Sequence, residues 1–170
     1  MNIAEYRAFI GSRQSEIQNA GFAPNAINPK AKEHQRAVID FALNLGRSAA
    51  FLDTGLGKSF IELEFARQCA DETGKPTLIL TPLAVAGQMI REASKFDIEA
   101  RQIREQSEVG HGVMVANYER LQKLDTSKFG AIVLDESSIL KSLAGRTRNT
   151  LMDAFRHCDY KLAATATPSP

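Results

Sequence analysis

An α/β fold, with a mostly parallel sheet covered by helices on both faces, follows from three features of the 170-residue sequence. The runs "AAFL" (49–52), "TLIL" (77–80), "VMVA" (113–116) and "AIVL" (131–134) are apolar throughout rather than alternating, as strands buried on both faces are. Stretches with apolar residues at helical spacing lie between them, and a parallel sheet needs such crossovers. A glycine-rich turn, "DTGLGKS", joins the first of these runs to the helix that follows. In a sheet of this kind ligands gather at the carboxyl ends of the strands, so functional residues belong there.

Residues 1–27 are expected to form an N-terminal helical extension and loop. Ile3, Tyr6, Ile10 and Ile17 fall on one side of a helix, and "NAGFAPNAINPKA", with its glycine and prolines, reads as a loop. Residues 28–170 form the lobe itself. Val38, Phe41, Ala42 and Leu45 mark a helix from Lys32 to Leu45 that leads through Gly46 into the first strand, which places Gln35 near the helix start beside the glycine turn. "KSFIELEFARQCA" is the next helix. "GKPTLILTP" is a turn and second strand, followed by a helix striped with Val85, Met89, Ala93 and Phe96. "EARQI" is a short extra strand, "GVMVANYERL" a strand ending near Asn117 with a short helix behind it, and "FGAIVLDESS" the strand before an acidic pair. Leu143, Thr147, Leu151, Ala154 and Phe155 suit a helix, and "YKLAATATP" closes the sheet.

Composition narrows the class without naming a partner. With 44% hydrophobic and 24% charged residues the chain is of ordinary globular make-up and large enough for one cored domain. A net charge of +1 gives no general basic footprint, so nucleic acid would have to be met by local groups. Cys69 and Cys158 lie far apart without a C-x-x-C pair or clustered histidines, which points away from zinc and from a disulfide framework. The N-terminal stretch carries scattered charges and no apolar block, and no run approaches membrane-spanning length, so a cytoplasmic setting without membrane contact is expected.

Four features sit at the expected strand ends. In the glycine turn, Gly55 and Gly57 permit positive φ, so that the backbone N–H groups of Thr54, Gly55, Leu56 and Gly57 and the following helix N-terminus can converge on one phosphate. Lys58 can then reach the β- and γ-phosphates of ATP while the Ser59 hydroxyl holds Mg2+, the division of labour of a P-loop. Leu52 stands where the strict pattern has glycine. Asp135 and Glu136 emerge where an apolar strand stops. Adjacent positions on a strand face opposite ways, so they are expected to divide the work, Asp135 holding magnesium and Glu136 polarising the attacking water. Thr165 and Thr167 place hydroxyls at the end of the last strand, able to bond the acidic pair. Gln35 carries an amide that could read the edge of adenine.

In this order the segments resemble the first RecA-like lobe of superfamily-two helicases and translocases, in the Swi/Snf-like branch and among phage-type DEAD/DEAH-box helicases. "KEHQRAVIDFAL" is similar to the Q-motif segment, "DTGLGKS" to motif I, "LTPLAVAGQMIREASKF" to motif Ia, "VANYERL" to motif Ib, "LDESSILKS" to the DExx box and "LAATATP" to motif III. The resemblance implies an ATP-driven motor on nucleic acid, taken as DNA. It assigns Lys58 and Ser59 to phosphate and magnesium, Asp135 to magnesium, Glu136 to water, Gln35 to adenine, and Thr165 and Thr167 to coupling. It turns Pro82, Gln88, Asn117 and Lys141 toward the nucleic-acid backbone, and it implies a second RecA-like lobe outside this chain, with the arginines that complete the ATP site. Ser137 and Ser138 depart from the usual alanine and histidine or aspartate of the box. A P-loop ATPase switch or a nucleotide-binding scaffold acting on a protein partner is the alternative reading.

Overall fold

The computed structural model describes residues 20–138, 151 and 153–167. The elements in chain order are α1 (Glu33–Leu45), β1 (Arg47–Phe51), α2 (Lys58–Thr73), β2 (Thr77–Thr81), α3 (Ala86–Lys95), β3 (Ala100–Gln102), β4 (Val113–Asn117), β5 (Ala131–Leu134) and β6 (Tyr160–Thr165). Short 3-10 turns, Tyr118–Lys123 among them, fill the connection from β4 to β5. The six strands form one sheet in the order β1-β6-β5-β2-β4-β3, and every pairing is parallel. The α/β architecture expected from the strand runs is thus the one observed.

The central strands are apolar throughout because each face of the sheet is covered. Ile79, Val113, Val115, Ala131 and Val133 point into a core shared with α1, α2 and α3. Leu78, Leu80, Met114, Ala116 and Ile132 point to the other face, where Phe129, Leu151 and Phe155 cover them. The period-2 geometry of a strand makes each of these runs serve both cores. α2 is buried nearly all round, from Phe60 to Ala66, so it reads as the central helix of the lobe. Phe60 stacks edge-on against Phe96 at 4.4 Å between ring centroids, tying α2 to the end of α3.

Two expectations need correction. β1 is not a buried strand: it lies at the sheet margin among the described residues, and Arg47, Ala49 and Phe51 are exposed. In α1 the buried face is Gln35, Ile39, Ala42 and Leu43, while Phe41 faces solvent at 59% exposure. The stripe is rotated from the one expected because Gln35, a polar residue, takes an inward position. The helix expected at 3–17 and most of the helix expected after Ser142 lie outside the described residues. The adjoining segment packs on the lobe: Gly21 and Phe22 donate to the Asn44 and Leu43 carbonyls, and the Phe22 ring meets Tyr160 edge-on.

Candidate nucleotide-binding site

Register brings the strand ends together. Phe51 of β1 lies beside Thr165 of β6, Ala163 of β6 beside Leu134 of β5, and Leu134 beside Leu80 of β2. The glycine turn therefore leaves β1 next to the place where β5 and β6 end. Gly55 and Gly57 have φ of +89° and +79°, the left-handed region that glycine enters without strain. The first N–H groups of α2 have no intrahelical acceptor and face the turn with the positive end of the helix dipole. Thr54, Gly55 and Leu56 are exposed, and Lys58 and Ser59 are half-buried.

Lys58 binds both acids: its Nζ is 3.4 Å from Asp135 Oδ1 and 3.2 Å from Glu136 Oε2. Burial works to lower the Lys58 pKa, but Asp135, Glu136 and the nearby Glu62 outweigh it and hold the ammonium above its usual value. Glu136 Oε1 accepts from three hydroxyls, Ser138 Oγ at 2.5 Å, Thr165 Oγ1 at 2.7 Å and Thr167 Oγ1 at 3.3 Å. The Ser138 bond, the Thr165 bond and Lys58 together depress the Glu136 pKa to about 2, against the opposing effect of burial. Glu136 itself has φ of +49°, a left-handed conformation rare outside glycine, and Ser137 N–H is anchored on the Ala164 carbonyl at 2.8 Å.

The opposite-faces expectation for the acidic pair fails here. β5 ends at Leu134, and Asp135 to Ser138 form a turn, so strand alternation no longer applies and both carboxylates meet the same ammonium. Asp135 is the buried member, with its N–H on the Leu80 carbonyl and its own carbonyl accepting from Tyr118 Oη at 2.8 Å. Gln35 is buried at the back of the turn rather than solvated. Its Oε1 accepts from Lys32 N–H at 2.9 Å and its Nε2 donates to the Leu56 carbonyl at 3.3 Å. Thr165 and Thr167 reach the acidic pair through Glu136, as the strand-end placement suggested.

The remaining candidates lie along the same edge. Pro82 follows β2, Gln88 is exposed on α3, and Asn117 closes β4 beside Thr81. Asn117 is buried, and its Oδ1 has no partner among the described residues. Lys141 lies outside the described residues. Glu62 escaped the sequence reading. One turn beyond Ser59 on α2, it is fully buried, and neither carboxylate oxygen has a hydrogen-bond partner among the described residues. Burial first and Asp135 second push its pKa well above the usual range, with Lys58 opposing. Its only signal in the sequence was an acid within a helix stretch whose neighbours are apolar.

The donor set suits a magnesium-bound nucleotide. Magnesium takes hard oxygen donors, which Ser59 and Asp135 offer, and the Glu62 oxygens, without a partner among the described residues, are close enough to Asp135 to be influenced by it.

The six-stranded parallel sheet with its glycine turn and strand-end acids has a RecA-like α/β fold. Among solved structures, the UvsW helicase of bacteriophage T4 superposes with a TM-score of 0.70 at 18% identity, covering 88% of this chain and 57% of that one. The Sulfolobus solfataricus SWI2/SNF2 ATPase core in complex with dsDNA gives a TM-score of 0.63 at 20% identity, covering 86% of this chain and 34% of that one. In sequence the chain is 30% identical over 165 residues to protein p41 of Acyrthosiphon pisum secondary endosymbiont phage 1, an alignment that spans 82% of this chain and 36% of p41. The chain thus covers about a third of that relative's length. No model of a known protein family matches it.

Proposed function

We propose that this chain is the ATP-binding motor lobe of a DNA helicase or translocase, which couples ATP hydrolysis to movement on nucleic acid. The observation that carries the reading is the Glu136 carboxylate, held at once by Lys58 on one oxygen and by the Thr165 and Thr167 hydroxyls at the end of β6 on the other. One side chain so links the loop that would grip phosphate to the strand that would report its state. Bound magnesium would neutralise charge on the phosphates, with Ser59 and Asp135 as its protein ligands. Lys58 exchanges its two carboxylates for the phosphate oxygens and Glu136, ionised at neutral pH, orients a water. A carboxylate with so low a pKa is a weak proton acceptor, so its contribution is to align and polarise. Gln35 would hydrogen-bond the adenine edge. Pro82, Gln88, Asn117 and Lys141 supply the nucleic-acid track, and a second RecA-like lobe supplies its other half.

Titration of a fluorescent ATP analogue with magnesium tests the site: Lys58→Ala should weaken binding, since a charge-assisted hydrogen bond contributes roughly 1.5–3 kcal/mol. Unchanged affinity would remove Lys58 from the phosphate. Turnover by a protein carrying both lobes then separates motor from switch, because only a motor is expected to respond to nucleic acid.

A further inference from the structure

We propose that Glu62 is a second carboxylate of the magnesium site beside Asp135, holding the metal's water shell. The inference rests on the nucleotide reading above and extends it to a residue that the P-loop and the acidic box do not include. Three observations converge. Glu62 stands three positions after Ser59, so both project from one face of α2, the face that meets the end of β5. It is fully buried with both Oε1 and Oε2 free of hydrogen bonds among the described residues, although buried polar atoms are almost always partnered. It is close enough to Asp135 and Lys58 to be influenced by both, and Lys58 is the ammonium that Asp135 and Glu136 share.

Solvent does not reach Glu62, and no basic side chain of α2 or β5 other than Lys58 is drawn to it. A hydrated magnesium ion in front of Asp135 would bring the donors its oxygens lack, because water bound to the metal is a strong hydrogen-bond donor. The contact is to the water shell, since magnesium dehydrates reluctantly and keeps several waters. Glu62 thereby orients the ion without displacing Ser59 or Asp135.

The experiment is a titration of Mn2+, a paramagnetic stand-in for magnesium, into the whole chain with saturating ADP, read from the free-ion EPR signal. Glu62→Gln keeps the shape of the side chain and Glu62→Leu its bulk, and circular dichroism verifies that each folds. Both variants are expected to need about tenfold or more Mn2+ for half-saturation, the usual scale for an outer-shell partner, with ADP affinity in EDTA unchanged. The rise in unfolding temperature that Mg2+ and ADP give the parent should shrink in both. Parent-like Mn2+ affinity in Glu62→Gln overturns the proposal, because a neutral amide would then serve as well as a carboxylate. A parent chain that binds ADP but no Mn2+ also overturns it. A parent that binds no nucleotide fails the site reading itself.

Discussion

Glu136 concentrates the chemistry of the site in one side chain. Its pKa is depressed to about 2 from an ordinary 4.5, chiefly by the Ser138 hydroxyl, with Thr165 and Lys58 adding to the effect. A carboxyl that titrates lower in the folded chain than in the unfolded one adds stability that is complete above the unfolded value and is lost as pH falls toward the folded one. The window for this group is therefore about pH 4.5 down to about 2. Ser138→Ala should raise the Glu136 pKa, visible in a carboxyl 13C titration, and the variant should lose less stability across that window than the parent. No change in the titration would mean that Ser138 is not a donor in solution. At neutral pH Glu136→Gln should leave nucleotide binding near the parent value yet slow turnover in a protein that carries both lobes, whereas Asp135→Asn should weaken the magnesium dependence. Parent-like hydrolysis by Glu136→Gln would assign the water to another group.

At the level of elements, the glycine turn depends on α1 as much as on its own sequence. A Cβ on Gly57 would meet Gln35 Nε2 at 2.1 Å, and φ there is +79°, whereas a Cβ on Gly55 meets nothing within 4 Å at φ +89°. Both alanine substitutions carry the left-handed penalty of ~1–2 kcal/mol. Gly57→Ala must in addition displace the amide that donates to the Leu56 carbonyl, so its denaturation midpoint should fall further than that of Gly55→Ala. Equal midpoints would show that Gln35 gives way freely. Gln35→Ala is expected to reduce the preference for ATP over GTP, measured by competition. For that proposed role the Gln35 amide would have to give up its contacts with Lys32 N–H and the Leu56 carbonyl.

These elements also show what the sequence could tell. The strands at 77–80, 113–116 and 131–134 were legible because burial on both faces leaves an uninterrupted apolar run. β1 misled because an apolar run at a sheet edge looks the same as one in the centre. The P-loop, Asp135, Glu136 and the two threonines were legible as residue types at strand ends. The shared ammonium, the left-handed turn at Glu136 and the orphaned Glu62 were not, since each depends on which elements become neighbours.

For the whole molecule, the 170-residue chain alone should bind nucleotide weakly and release phosphate very slowly, with or without DNA. Charge builds on the γ-phosphate in the transition state, and an arginine brought from outside the P-loop lobe is worth ~10³–10⁵ in rate. Turnover by this chain at the rate of a two-lobe protein would show that one lobe suffices. Any DNA binding should be weak, because a near-neutral lobe makes few phosphate contacts. No helix among the described residues is long and apolar enough to cross a membrane. The position of β1 has a further effect on how the molecule comes into being. Its paired neighbour is β6, and Arg47 meets Asp159, 112 positions later. A ribosome adding roughly 5–20 residues per second releases the glycine turn several seconds or more before the strand that must support it. A message cut before the codon for Tyr160 would thus encode the turn, the lysine and both acids, and yield a polypeptide without the strand that sets β1 beside β5.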